Sequence, residues 1–300
     1  MDIEAYLKEQ KSRIDRHLSE IIDSWKGSNG ELPEVCQAMA YSLTAGGKRL
    51  RPILTVSCFR ACSGEGEAVY NAGCALELIH TYTLIHDDLP IMDDDDFRRG
   101  LPTCHRKFGD RRAAFAGVGL LLKAFEVLES SAADLGLDRD RRAEAVASVA
   151  AATGGGGVIG GQVVDLESEN RQIDDRALEY IHSHKTGALI RVSCTLGARL
   201  ARAGEEMINA LTAYGGNIGY AFQIVDDLLN EEGDFQEVGK GVGTDRARGK
   251  ATFPARFGPQ ESRRMAARAV EAATEALSGS ALAEDPMLPA IAGFILSRRK

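Results

Sequence analysis

Apolar residues recur at helical spacing through most of this 300-residue chain, and the two-residue alternation of a half-buried strand is sparse. Residues 38–43, 53–61, 72–86, 120–135, 143–152, 188–203 and 207–229 all read as helix, with Ala and Leu abundant. A chain without a strand–helix repeat or a run of short strands must bury its apolar surface by packing helix on helix. Hydrophobic residues make up 44% of the sequence, which is enough for a sizeable core. Breaks fall at 27–30, 46–47, 64–66, 100–102 and 239–249. None is a long linker, so a single all-α domain over 1–300 is expected.

The formal charge of -8 argues against general nucleic-acid binding, which favours clustered basic surface. No run of about 18 uninterrupted apolar residues is present, so no transmembrane helix is expected. The opening residues Met1, Asp2, Ile3 and Glu4 are unlike a signal peptide, and a cytoplasmic location is expected. Six cysteines at 36, 58, 62, 74, 104 and 194 form no CxxC pair and sit mostly in apolar stretches. They read as reduced, buried thiols.

Two of the apolar runs carry acidic pairs. The first ends in Asp87 and Asp88 and is followed by Asp93, Asp94, Asp95 and Asp96. Two unit charges ~4 Å apart repel by roughly 1–4 kcal/mol, so such a cluster is either fully solvated or holds cations. The second pair, Asp226 and Asp227, lies within a helical pattern between Gln223 and Asn230. Gln223, Asp226 and Asn230 share a face by their spacing, and Asp227 is rotated by about 100° from Asp226. Two acidic helices facing each other would make a divalent-metal site for a polyphosphate ligand. Mg²⁺ suits such a site, since it takes one or two carboxylates and completes its shell with water and phosphate oxygens. On an ideal helix Asp93 stands about 120° out of line with Asp87, and Pro90 perturbs that geometry. Asp94, Asp95 and Asp96 cannot all face one site, so some are expected to meet solvent or nearby arginines.

A polyphosphate also needs cationic donors. Lys48, Arg49 and Arg51 follow Gly46 and Gly47 in a loop-like entry to a helix, and Arg98 and Arg99 follow the first acidic run. Lys185 with Thr186, then Lys240 and Lys250, are further candidates. His80 lies seven residues before Asp87, on nearly the same helical face. The glycines at 154–157 and 160–161 lack the Gly-Lys-Ser/Thr ending of a phosphate loop. Close helix packing, or a hinge at a helix end, is expected there.

These motifs resemble a known family. GGKRLRP (46–52), ELIHTYTLIHDDLPIMDDDDFRRGLPTCH (77–105), GGQVVDL (160–166), HKTGALI (184–190), AFQIVDDLLN (221–230) and GKATFP (249–254) occur in the order of the trans-isoprenyl diphosphate synthases of the polyprenyl synthetase family. The chain is most similar to the bacterial farnesyl diphosphate synthases. The resemblance runs from near residue 30 to 300, which leaves residues 1–30 the less defined segment of the domain.

The resemblance implies an all-α, isoprenoid synthase-type helical bundle around a deep central cavity, in a homodimer. It implies condensation of isopentenyl diphosphate with dimethylallyl or geranyl diphosphate. Asp87, Asp93 and Asp226 would hold Mg²⁺, three ions with substrate bound, and Asp88 and Asp227 would support them. Arg98, Lys185, Thr186, Gln223 and Lys240 would contact the allylic substrate, with Lys185 and Lys240 stabilising the departing diphosphate. Lys48, Arg51, His80 and Arg99 would hold isopentenyl diphosphate, and Lys250 would help close the site. Tyr82 and Thr83, just before the first acidic motif, would set product length. A bulky aromatic there favours farnesyl over geranylgeranyl diphosphate.

Four positions depart from the family pattern. Asn230 stands where aspartate is common, Arg111 and Arg112 where Glu-Ala is frequent, and Val118 where aspartate is usual. The alternatives are a geranylgeranyl diphosphate synthase and a weakly active or non-catalytic partner subunit that binds prenyl diphosphate. A terpene cyclase would have no use for the Lys48, Arg51, His80 and Arg99 set.

Overall fold

The computed structural model describes residues 2–169, 171, 173–232 and 252–298. Their regular structure is helical apart from one short antiparallel hairpin, β1 (Phe97–Arg98) paired with β2 (Leu101–Pro102). The described residues form two compact units, and the division falls inside two helices, α3 (Leu50–Ala61) and α7 (Arg139–Thr153).

One unit comprises residues 2–56 and 66–146. It holds α1 (Ile3–Asp23), α2 (Glu34–Thr44), α4 (Ala68–Asp87), the hairpin, α5 (Cys104–Phe108) and α6 (Asp110–Asp134). α4 is buried on nearly every turn from Val69 to Ile85, because its sequence is apolar on all sides. α6 packs against it through a buried stripe of Ala113, Ala116, Gly117, Leu120, Ala124 and Leu128. The recurrence every three or four residues places this stripe on one helical face, and its small members permit close approach. The N-terminal segment is an integral part of this unit. Asp2 caps α1, Ile14 and Leu18 are buried, the Tyr70 hydroxyl donates to Gln10 at 2.8 Å, and His17 stacks on Tyr70.

The described part of the other unit lies within residues 57–65 and 147–298. It holds α8 (Val158–Ser168), α9 (Asp175–Ile181), a π-helical turn (His182–Gly187), α10 (Ala188–Leu200), α11 (Glu205–Glu232), α12 (Phe253–Phe257), α13 (Pro259–Leu277), a 3-10 turn (Ala281–Glu284) and α14 (Met287–Ser297). α11 is the spine, packed against α10 and α13. Its fully buried Tyr214 donates to the Leu288 carbonyl at 2.7 Å. Around the second acidic pair, Ile224, Val225 and Leu228 form a core with Leu178, Phe253 and Ala266.

The helix expected over 120–135 begins at Asp110, because its first turns carry exposed Asp110 and Arg111 and bury only the small Ala113, Ala116 and Gly117, which give little hydropathy contrast. The helix expected to reach 203 ends at Leu200, where Arg202 takes a left-handed backbone (φ 58°) and Ala203 bonds back to Ala198. Close packing is found at Gly161, where a Cβ would stand 2.3 Å from the Lys185 backbone nitrogen. All six cysteines are free, and all but the half-buried Cys36 are buried.

Candidate active site

The first acidic motif is shaped by the end of α4. Leu89 precedes Pro90, whose ring disfavours helical backbone at Leu89. The chain therefore folds back after Asp88. Met92 and Asp94 donate their N–H groups to the Leu89 carbonyl, at 2.8 and 3.1 Å, and Asp93 donates its N–H to the Asp87 carbonyl at 2.8 Å. A straight helix would set Asp93 off to one side of Asp87; this turn joins the two residues directly. Both carboxylates stay half-buried.

The neighbouring carboxylates are committed to arginines. Asp88 is buried and accepts from Arg98 Nε with both oxygens, at 2.7 and 2.8 Å. Burial opposes the charge on Arg98, but the hydrogen bond and field of Asp88 outweigh it and raise its pKa. Asp95 lies 3.5 Å from the same guanidinium. Asp94 and Asp96 are exposed and pair with Arg106, Asp94 at 3.4 Å. Pairing of some carboxylates with arginines was expected; Arg106 was not foreseen as a partner.

The glycine loop before α3 sorts its cations. Arg49 turns inward and donates to Asp15 at 2.8 Å, Glu77 at 2.7 Å and the Leu43 carbonyl at 2.8 Å. It is therefore a structural residue rather than a substrate donor, whereas Lys48 is exposed and Arg51 half-buried. Arg99 reaches back to the same loop and donates to the Gly46 carbonyl. Gly47 makes room for it, since a Cβ there would stand 2.9 Å from the guanidinium carbon. Burial pushes the Arg99 pKa down, partly offset by Glu77, and the nearby Arg49 and Arg98 add to the fall. Such a guanidinium is short of negative charge, which suits it to an anionic ligand. His80 is half-buried on α4, seven residues before Asp87. A small cavity lined in part by Thr81, Asp88, Arg98 and Arg99 adjoins this cluster.

In the other unit, the two aspartates of α11 have different surroundings. Asp226 is exposed and pairs with the buried Arg298 at 3.2 Å. Arg298 also donates to the Phe222 carbonyl at 2.8 Å and lies over the Phe222 ring, and burial pushes its pKa down. Asp227 is buried and accepts from the Gln223 amide at 2.7 Å and the Phe253 N–H at 3.0 Å. Helical spacing groups Gln223 with Asp226 and Asn230, but its amide serves Asp227 one turn on. His182 stacks on Phe253, with Nε2 3.9 Å from Asp227. Burial pushes His182 down to about 4, with Asp165 opposing and Lys185 adding, so the ring is neutral near pH 7.

His182 opens the π-helical turn that carries Lys185 and Thr186, both half-buried. Such turns are frequent at functional sites. Lys185 Nζ lies 2.5 Å from Asp165 on α8. Asn230 is half-buried near the end of α11. Lys240 and Lys250 lie outside the described residues.

Tyr82 is buried and meets His86 edge to face. Burial, then Asp87, raises its pKa. The Thr83 hydroxyl donates to the His80 carbonyl at 2.8 Å. Among the positions that depart from the family pattern, Arg112 pairs with Glu34 at 2.7 Å, and Val118 joins an exposed apolar face of α6. Nothing in the structure explains Arg111.

Besides Arg106, four partners carry no signal of their role in the sequence. Asp165 lies inside a recognised motif but had no assigned role. Asp15 and Glu77 are remote in sequence from Arg49, and Arg298 lies in a short basic run with no periodic signal.

Half-buried carboxylates beside guanidinium and ammonium groups are the donor chemistry of proteins that bind polyphosphates with divalent ions. A family model described as Polyprenyl synthetase matches residues 32–281. The farnesyl diphosphate synthase of Geobacillus stearothermophilus is 40% identical over 94% of this chain and 95% of its own length. A geranylgeranyl diphosphate synthase of Cyanophora paradoxa is 40% identical over 98% of this chain and 96% of its own. The crystal structure of an FPP/GFPP synthase from Zymomonas mobilis superposes with a TM-score of 0.82 at 33% identity, covering 98% of this chain and 99% of that one. The chain belongs to the polyprenyl synthetase family and has its all-α fold.

Proposed function

We propose that this protein is a short-chain prenyltransferase that condenses isopentenyl diphosphate with dimethylallyl or geranyl diphosphate to give farnesyl diphosphate. The observation that carries the reading is the turn joining Asp87 to Asp93, next to Arg98 and Arg99, in a chain of this family.

The donor set fits Mg²⁺. Asp87, Asp93 and Asp226 offer hard oxygen ligands. Among the described residues, no three His, Cys, Asp or Glu side chains form a ready-made metal cage. Three ions are proposed with substrate bound, each completing its shell with substrate phosphate and water. When bound, Mg²⁺ neutralises charge on the departing diphosphate. Lys185 and Thr186 grip the allylic diphosphate, with Asp165 holding the lysine ready, and Arg98, Lys240 and Gln223 complete the contacts. Asp88 and Asp227 position their neighbours and their arginine or amide partners. Lys48, Arg51, His80 and Arg99 hold isopentenyl diphosphate, and Lys250 helps to close the site.

The allylic C–O bond breaks with its electron pair leaving on diphosphate. The isopentenyl double bond attacks the allylic cation, and loss of a proton to the released diphosphate forms the new double bond. Apolar walls keep water from the cation.

A single domain, a cytoplasmic location and a homodimer belong to the same reading. No helix among the described residues is long and apolar enough to cross a membrane. The outward face of α6 exposes Phe115, Val118 and Leu122, an apolar stripe suited to a second copy.

Purified protein with Mg²⁺, isopentenyl diphosphate and geranyl diphosphate is expected to release farnesyl diphosphate. No elongation of dimethylallyl, geranyl or farnesyl diphosphate would refute the reading in favour of a non-catalytic partner. Tyr82→Ala is expected to raise the geranylgeranyl-to-farnesyl product ratio about 10-fold or more, because the ring no longer blocks the chain. The ratio is read by chromatography of the dephosphorylated alcohols, and an unchanged value would remove Tyr82 from the cavity floor.

A further inference from the structure

His86 sits between the residue proposed to set product length and the residue proposed to hold metal, yet the chemistry above leaves it without a role. Its imidazole is half-buried, with Nε2 3.0 Å from the Ala114 carbonyl of α6. A carbonyl only accepts, so Nε2 carries the proton and donates. One turn further along α6 lies Gly117, where a Cβ would stand 2.3 Å from the same nitrogen. The ring therefore lies in a socket whose walls are α6 backbone, which side-chain rotation cannot move. It also meets Tyr82 edge to face, at 4.8 Å between ring centroids with the planes 78° apart. This is a favoured aromatic geometry.

We propose that His86 is a positioning residue for product length. Seated against the α6 backbone, it braces the Tyr82 ring, so that a growing chain cannot push the phenol aside. A lone tyrosine on a helix changes rotamer readily when space opens beside it. Here the imidazole occupies that space and cannot retreat. The inference rests on the reading of Tyr82 as the cavity floor.

The test is a cycle of wild type, Tyr82→Ala, His86→Ala and the double variant, assayed with Mg²⁺, isopentenyl diphosphate and geranyl diphosphate. His86→Ala is expected to raise the geranylgeranyl-to-farnesyl ratio about 5- to 10-fold, the loss of one aromatic brace. In the Tyr82→Ala background the same change is expected to move the ratio by less than about 2-fold, because nothing remains to brace. A purely structural role would lower the melting temperature and leave the ratio alone. His86→Gln is the companion variant. It keeps a donor for Ala114 but has no ring, so it too should lengthen the product.

An unchanged ratio in an active His86→Ala overturns the proposal, as do equal effects in both backgrounds. Loss of all condensation in both His86 variants also overturns it, since the imidazole would then act through its neighbour Asp87. Unchanged products from Tyr82→Ala alone would remove the floor and the brace with it. An inactive wild type would instead refute the prenyltransferase reading.

Discussion

Asp87→Asn is expected to lower kcat for condensation by about 10²–10³-fold or more, whereas Asp94→Asn changes it by less than about 3-fold. The first figure is the scale on which active sites lose rate when one group facing developing charge is removed. Asp87 stands at the end of α4, tied by its own carbonyl to Asp93. Asn keeps an oxygen but removes the charge that draws a divalent ion. Asp94 is exposed and paired with Arg106, so its charge is already screened by solvent and a partner. The measurement is steady-state turnover of isopentenyl and geranyl diphosphates over a range of Mg²⁺ concentrations. Equal losses in the two variants would mean that the acidic run acts as a diffuse field, and that the turn does not select its ligands.

Arg49→Met is expected to destabilise the protein by about 3–5 kcal/mol, the cost of leaving a buried charge unpaired. Arg49 is 4% exposed and Glu77 2%, so water cannot take over from the lost guanidinium. Adding Glu77→Met should restore much of the loss, because two apolar side chains then replace the pair. Arg112→Met breaks an exposed pair with Glu34 and should cost less than about 1 kcal/mol. Urea unfolding reads all three. Comparable losses from Arg49→Met and Arg112→Met would deny the buried network its role.

Acid pH should narrow the gap between Arg49→Met and wild type. Burial opposes ionisation of Asp15, but hydrogen bonds from Lys11 and Arg49 outweigh it and hold its pKa below the ordinary aspartate value. The stability from this depressed pKa is present above the unfolded value of about 3.9 and disappears as pH falls through the lower folded value.

Much of the fold was legible because α4 and α11 repeat their apolar residues over many turns. α1, α5, α8, α9, α12, α13 and α14 were not foreseen. α13, for example, buries mainly alanines and a serine, whose size lets helices approach but leaves little contrast in hydropathy. The acidic and cationic motifs were visible as residue types at recognisable spacing, which is why the family could be inferred. Their local partners were not visible. Gln223 serves Asp227, although the spacing grouped it with Asp226, because helical neighbours at three and four residues compete and packing chooses between them.

By itself, the sequence determined an all-α chain of this family, with carboxylates at 87, 93 and 226 and cations to match. Periodicity and residue chemistry are local properties, written directly in residue order. Only the tertiary structure decided how those charges are used. It turned Arg49 inward to Glu77, set Arg98 on Asp88, put Lys185 against Asp165 and seated His86 beside Gly117. Each of these brings residues ten or more positions apart to within a few ångströms. Burial then sets the outcome, since a charge or ring removed from water must find its partner within the fold.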